Sequence, residues 1–453
     1  MHHTKPYTFF WLLLSCLLLA GARCTIGSDN NSNTTTTTTR VESEQKLSAT
    51  AGGFNDDLAA GDEFGSAVAN LGDLEGDGVT DLAVGAPSDD GNGMDRGAVW
   101  VLFLDSDGRV DLKQRIGDGA GGFDGNLVDG GRFGDALAAI GDLNADGVAD
   151  LAVGAPQDDD GGTDRGAVWI LFLDAEGKVL DFQKISNTAG GFDGILNDGD
   201  QFGGAVTAIG DLDGDGVGDL AVGAKYANDG GTGKGAVWIL FMDTDGTVKS
   251  QQKIADGAGN FNGDLNNDDH FGSAVAGIGD LDGDDVNDLA VGADQSDGGG
   301  SDRGAVWILF LDKDGTVLNE EKITQGQGGF EGDLADGDRF GSAVADIGDQ
   351  DGDGVTDLAV GADQSDDGGP DRGAVWILYL DENGEVRSDS RISSAKGNFE
   401  GNLDDDDRFG SAVTGIDDLD GNGVPDIAVG APLDDDGGTD MGALWILFMK
   451  QTD

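Results

Sequence analysis

The chain has 453 residues, with 88 aspartates and glutamates against 26 lysines and arginines, for a formal net charge of −62. A surface that acidic repels nucleic acid and anionic lipid and favours cations, so nucleic-acid binding is excluded. The 82 glycines follow no Gly-x-y period, which excludes collagen, and the regular short apolar runs exclude wholesale disorder.

Residues 1–22 read as an export signal. Lys5 opens it, Phe9 to Ala20 is apolar, and Ala20-Gly21-Ala22 offers a small-residue cleavage site. The apolar stretch is shorter than the roughly 20 residues of a bilayer span. The mature chain is therefore expected to lack a transmembrane span and to be secreted or held at the cell surface. Cys16 leaves with the signal and Cys24 remains as the only cysteine. An exported chain without an internal disulfide needs another source of stability, and metal is the obvious candidate. Residues 23–40 are a low-complexity linker with six threonines, Thr34 to Thr39. Asn30-Asn31-Ser32 and Asn33-Thr34-Thr35 match the glycan acceptor pattern.

From residue 41 to 453 the chain repeats itself six times. Phe64-Gly65 returns every 69 residues at Phe133-Gly134, Phe202-Gly203, Phe271-Gly272, Phe340-Gly341 and Phe409-Gly410. Trp100, Trp169, Trp238, Trp307, Trp376 and Trp445 keep the same beat. A fixed period of this kind marks one supersecondary unit stacked on itself. In the first unit, Phe64 to Leu71, Leu82 to Ala86, Ala98 to Leu104 and Arg109 to Ile116 read as four short strands separated by Gly, Asp and Asn turns. The third is apolar on both faces, so both must be covered. The expected fold is all-β, a six-bladed β-propeller of four-stranded antiparallel blades. The sixth unit stops at Met449-Lys450 without a fourth strand, and Arg40 to Ser48 resembles the missing one. An N-terminal strand is thus expected to complete the last blade and shorten the exposed edge.

Between the first and second strands of each unit lies a nonapeptide with oxygen-bearing side chains at positions 1, 3, 5 and 9. These are Asp73, Glu75, Asp77 and Asp81, then Asp142, Asn144, Asp146 and Asp150, then Asp211, Asp213, Asp215 and Asp219. The later copies carry Asp280, Asp282, Asp284 and Asp288, then Asp349, Asp351, Asp353 and Asp357, then Asp418, Asp420, Asn422 and Asp426. Carboxylates crowded in this way repel one another unless a hard cation sits among them. Calcium takes six to eight oxygens, and the position-7 carbonyls of Val79, Val148, Val217, Val286, Val355 and Val424 are candidate further ligands. About six Ca²⁺ ions, one per blade, are expected. A helix-loop-helix calcium site does not fit, because position 12 is Val84 and the flanks are strands. The fourth copy has Asp285 where the others have glycine, which makes it the least regular site. The competing reading is a set of turns in which the acids bond their own backbone; six copies in register favour metal.

Most of the acidity lies outside the nonapeptides and reads as surface. A second acidic cluster, as at Ser88-Asp89-Asp90-Gly91 and Asp434-Asp435-Asp436, varies in spacing and reads as a solvated loop. Phe54, Phe123, Phe192, Phe261, Phe330 and Phe399 recur in the connections between units, each followed four residues later by leucine, and read as loop anchors.

Phe64-Gly65 and Gly85-Ala86-Pro87 with the aspartate nonapeptide between them resemble the FG-GAP repeat of integrin α subunits. Gly-Ala-Pro changes to Gly-Ala-Lys at 223–225 and to Gly-Ala-Asp at 292–294 and 361–363. The resemblance implies a propeller with Ca²⁺ in the loops between first and second strands, and a role in adhesion or recognition of an extracellular protein or glycan ligand. Integrin propellers have seven blades and this sequence counts six; oligomeric state stays open. A calcium-dependent carbohydrate-binding lectin is the alternative function, since near-identical pockets between blades suit repeated glycans. Catalysis is not expected. His270 is the only histidine after the signal, and neither a thiol–histidine pair nor a zinc motif occurs.

Overall fold

The computed structural model describes residues 38–54 and 58–452. The export signal, Cys16, Cys24 and both glycan acceptor sites lie outside them. The N-terminal strand β1 (Thr39–Ser48) precedes a regular series. Blade 1 is β2 (Val68–Gly72), β3 (Asp81–Ala86), β4 (Ala98–Leu104) and β5 (Val110–Gly117), hydrogen-bonded in that order. Sixteen strands, β6 (Ala136–Ala139) to β21 (Val386–Ile392), build blades 2 to 5 on the same plan. Blade 6 comprises β22 (Ala412–Ile416), β23 (Asp426–Ala431) and β24 (Ala443–Gln451), and β1 completes it in the order β1-β24-β23-β22. The protein is a six-bladed propeller of antiparallel four-stranded sheets.

The register shows why β1 belongs there. Lys46 lies opposite Trp445, as Lys184 lies opposite Trp169 within blade 2. Thr452 donates its N–H to the Thr38 carbonyl at 2.7 Å. One residue outside blade 6 also holds the strand. Tyr379, on the third strand of blade 5, stands where the other blades have Phe103, Phe172, Phe241, Phe310 and Phe448. It is fully buried. Its hydroxyl accepts the Thr39 N–H at 2.5 Å and lies 3.0 Å from Thr39 Oγ1.

The third strands of blades 1 to 5 are buried along their whole length, and that of blade 6 as far as Met449, because each faces two neighbours. Val99, Val101 and Phe103 pack with Leu137, Val153 and Trp169 of blade 2. Trp100, Leu102 and Leu104 pack with Leu444 and Ile446 of blade 6. The recurring Phe anchors are buried in these seams. Phe54 lies 4.8 Å from the Phe64 ring and 5.0 Å from that of Trp100.

The first strand begins at the Phe-Gly pair in blades 4 and 5, at Phe271 and Phe340, but later in the other four. In blade 1 it starts at Val68, because Phe64 instead forms a parallel bridge to Gly442 of blade 6. Phe133 does the same to Gly97 of blade 1. The Phe-Gly pair is therefore a junction piece laid across the preceding blade. Its glycine is obligatory there. Gly65 has φ of +94°, and a Cβ on it would meet the Ala443 carbonyl oxygen at 2.3 Å.

Four junctions carry an ionic staple on the same side: Arg96–Asp129 at 2.7 Å, Arg165–Asp198 at 2.8 Å, Arg303–Asp336 at 2.8 Å and Arg372–Asp405 at 2.9 Å. At the seam between blades 6 and 1 the arginine is replaced by Met441, which packs against the apolar cluster containing Ala49 and Phe54. The six first strands line an axial cavity of about 220 Å³, with Val68, Leu137, Val206, Val275, Val344 and Val413 in its wall. Antiparallel pairing puts the first-to-second and third-to-fourth turns on one face, and the remaining loops and blade-to-blade connections on the other.

Candidate metal centres

Each nonapeptide joins its first strand to its second, so all six share one face. Position 1 closes the turn. Asp73 Oδ1 accepts the N–H groups of Gly76 at 2.7 Å and Asp77 at 2.8 Å, while Oδ2 accepts that of Gly78 at 2.8 Å. The equivalent bonds to position 6 run from Gly147, Gly216, Asp285, Gly354 and Gly423. Asp285 takes φ of +69° and keeps this bond at 2.9 Å, so the fourth turn closes like the rest. The position-7 valines donate their N–H to the position-5 side chain, as Val79 does to Asp77 at 2.8 Å and Val424 to Asn422 at 2.9 Å.

Position 9 is the buried floor. Asp81 Oδ2 accepts the Leu74 N–H at 2.9 Å and Oδ1 accepts that of Leu104, at the end of the third strand, at 3.2 Å. Asp150, Asp219, Asp288, Asp357 and Asp426 repeat this and are at most 1 % exposed. Burial raises Asp150 and Asp219 to about 6 and Asp288, Asp357 and Asp426 to about 7. Asp81 is raised too, first by burial and then by the Glu75 carboxyl beside it. These carboxylates are poorly placed to ionise unless positive charge stands over them.

In four blades the structure brings positions 1, 3 and 9 together: Asp73, Glu75 and Asp81; Asp211, Asp213 and Asp219; Asp280, Asp282 and Asp288; Asp418, Asp420 and Asp426. In blade 5 it gathers Asp349, Asp351 and Asp353 instead. In each group one oxygen per residue lies within 4.8 Å of the others. An all-oxygen set at this separation suits a hard divalent cation. Blade 2 does not form such an acid group among the described residues. Its Asn144 turns its amide nitrogen to Asp146 Oδ2 at 2.9 Å. In blade 6, Asn422 Nδ2 donates to the Met449 carbonyl at 2.8 Å.

Two residues that the sequence reading passed over put a tethered cation at these loops. Lys249 ion-pairs with Asp215 in blade 3. Arg387 reaches Asp351 at 3.0 Å and Asp353 at 2.5 Å in blade 5. Both are the second residue of a fourth strand, a place filled by Leu180 in blade 2 and Leu318 in blade 4. The break in that column is visible in the sequence, although the pairing is not.

The second acidic cluster is a solvated loop only in part: Asp90, Gly91 and Asp435 are exposed, but its leading aspartates are buried. Asp89, Asp158 and Asp434 are 7 %, 1 % and 2 % exposed, and each holds a cation from its blade's fourth strand. Arg115 pairs with Asp89, Lys184 with Asp158 at 2.8 Å, and Lys46 with Asp434 at 2.6 Å. Lys184 and Lys46 also lie over the indoles of Trp169 and Trp445, each 5.2 Å from the ring centroid. A cation–π seat and a buried carboxylate together fix these side chains.

Fold and loops together define a repeat propeller with candidate cation-binding turns on one face. The chain belongs to the FG-GAP repeat family, whose profile matches residues 64–102, 133–171, 202–240, 271–309, 340–378 and 409–447. It is similar to integrin alpha pat-2 of Caenorhabditis elegans, 31 % identical over 236 residues that make up 49 % of this chain and 17 % of that protein. Integrin alpha-PS2 of Drosophila melanogaster is 35 % identical over 238 residues, 50 % of this chain and 15 % of the relative. Integrin alpha-11 of Homo sapiens is 38 % identical over 166 residues, 36 % of this chain and 13 % of the relative. The match thus spans less than a fifth of the length of each of these relatives. No helix among the described residues is long and apolar enough to cross a membrane.

Proposed function

We propose that the protein is a secreted, calcium-stabilised propeller that serves as an adhesion or ligand-recognition module and is not an enzyme. In this reading residues 1–22 are removed as a signal, a linker runs from residue 23 to the start of β1 at Thr39, and the propeller carries up to six Ca²⁺ ions. The ligands are the position 1, 3, 5 and 9 side chains with the position-7 carbonyls. The observation that carries it is the convergence of three carboxylates in each of five of the six turns, with a buried one among them in four. Six ions would offset 12 of the 62 net negative charges, so the metal serves the loops and not the whole surface.

Ions at these turns would brace one face and leave the blade-to-blade connections of the other face for a partner. The relatives are integrin α subunits, which supports an extracellular setting. The lectin alternative loses its aromatic platform, because the six tryptophans are 3–7 % exposed. The test is capture of partners from the native extracellular milieu by the purified protein, with calcium and with EGTA. Calcium-dependent retention of an extracellular protein is expected. Retention of nothing in either condition refutes a recognition role.

A further inference from the structure

The six nonapeptide turns are not alike, and they differ most at position 5. One oxygen there accepts the N–H of the position-7 valine in every turn, as Asp77 Oδ1 and Asp284 Oδ1 do at 2.8 and 2.9 Å. The other oxygen divides the turns into two kinds. In blade 2, Asp146 Oδ2 accepts the Asn144 amide at 2.9 Å, and Asn144 is held in that sense because its Oδ1 accepts the Asp146 N–H at 2.8 Å. In blade 3 the ammonium of Lys249 pairs with Asp215 Oδ2. In blade 5, Arg387 reaches Asp353 Oδ2 at 2.5 Å and Asp351 Oδ2 at 3.0 Å, and its Nε donates to the Leu380 carbonyl at 2.8 Å. In blade 6 position 5 is itself an amide, and Asn422 Nδ2 donates at 2.8 Å to the carbonyl of Met449, the counterpart of Leu380.

Blades 1 and 4 have no such donor. Asp77 Oδ2 and Asp284 Oδ2 accept no hydrogen bond among the described residues. At the fourth-strand position of Lys249 and Arg387, blade 1 has Asp111 and blade 4 has Leu318, which is 58 % exposed. Formal charge divides the turns in the same way. The blade 1 turn carries four acids and that of blade 4, with Asp285, carries five. Those of blades 2 and 6 carry three, and those of blades 3 and 5 carry four acids less one tethered base, again a charge of −3.

A hard cation needs oxygen acceptors, and an N–H group aimed at the same oxygen competes with it. A donor tethered to the chain competes at a high effective concentration. Calcium affinity in all-oxygen sites also follows the number of charged ligands. We propose that Asn144, Lys249, Arg387 and Asn422 stand in for the metal in their four turns and confine tight calcium binding to blades 1 and 4. Lys249 and Arg387 supply the positive charge, and the two asparagines supply an N–H and withhold a carboxylate. Blades 1 and 4 lie opposite each other, with two blades between them on either side of the ring. These two sites rest on the calcium reading of the turns and reduce its count from six like ions to two.

The test is calorimetric titration of the EGTA-stripped full chain with calcium chloride, which reads both the number of bound ions and their affinities. Two ions should bind about tenfold or more tighter than any others. Leu318→Lys gives blade 4 the tether of blade 3 and should leave one tight ion, whereas Leu318→Gln, equally exposed and uncharged, should leave two. Lys249→Ser, Arg387→Ser and Asn144→Asp should each add a tight ion, a gain that misfolding does not produce. A count of tight ions other than two, two tight ions surviving Leu318→Lys, or no gain in these three variants overturns the proposal. Six like ions reject the division of the turns alone, whereas the absence of any bound calcium rejects the calcium reading beneath it.

Discussion

Tyr379→Phe removes a single oxygen and tests how the ring is closed. Five of the six equivalent positions already carry phenylalanine, so the ring fits its slot and the packing of blade 5 is kept. What is lost is the acceptor for the Thr39 N–H at 2.5 Å and the contact with Thr39 Oγ1 at 3.0 Å. A buried N–H left without a partner costs about 1–3 kcal/mol. One kcal/mol moves the melting point by about 2–4 °C in a domain of 150–250 residues and by less in a larger body. The expected fall is therefore about 1–5 °C by scanning calorimetry in saturating calcium. Amide exchange should also accelerate along β1 and the facing residues of β24, with the centres of blades 2 and 3 unaffected. Thr39→Val, which removes only the 3.0 Å contact, should cost less. An unaltered melt with unaltered β1 exchange would show that the hydroxyl does not hold the strand.

The remaining expectations concern charge. EGTA should lower the melting point by many degrees and Asp211→Asn by much less, since a site held at 100 times its Kd contributes about 2.7 kcal/mol; equal melts with and without calcium would remove metal from the account. Arg387→Ser should raise calcium affinity in blade 5, seen as an additional or tighter site in calorimetry, and no change would mean that its ion pairs do not compete with the ion. Burial raises Asp407 to about 7 and Asp62 to about 6, so the folded state holds these protons more tightly than the unfolded chain. Their contribution is full below about pH 4 and is lost as pH rises towards 7. Asp407→Asn should thus stabilise the protein at pH 8 and lose that advantage near pH 4, and a pH-independent difference in denaturant midpoints would contradict the assignment.

Period and polarity made much of this molecule legible in the sequence. The 69-residue beat gave the blade count, the doubly apolar third strand demanded a neighbour on each side, and the resemblance of Arg40 to Ser48 to a fourth strand placed the latch. The nonapeptides were readable because their spacing is local, with the bonds that close each turn inside nine residues. Contacts between segments far apart in the chain were not. Phe64 looked like the start of a strand because its bridge to Gly442 joins residues far apart in the chain. Asp89 and Asp158 looked solvated because the cations that bury them come from a strand 26 residues downstream. Tyr379 and Arg387 each break a column of the repeat, yet only the fold shows that Thr39 and Asp351 lie within reach of them.

The staples between blades give the ring an uneven response to ionic strength. Added electrolyte screens Arg96–Asp129 and its three counterparts, which sit at the surface where such pairs are readily weakened. It leaves the contacts of Met441 at the closing seam untouched, because dispersion and apolar burial do not depend on counter-ions. The same electrolyte relieves the mutual repulsion of so many acids. The wheel therefore trades hold at four spokes for relief across its whole rim, while the seam packed by Met441 keeps its apolar contacts in brine.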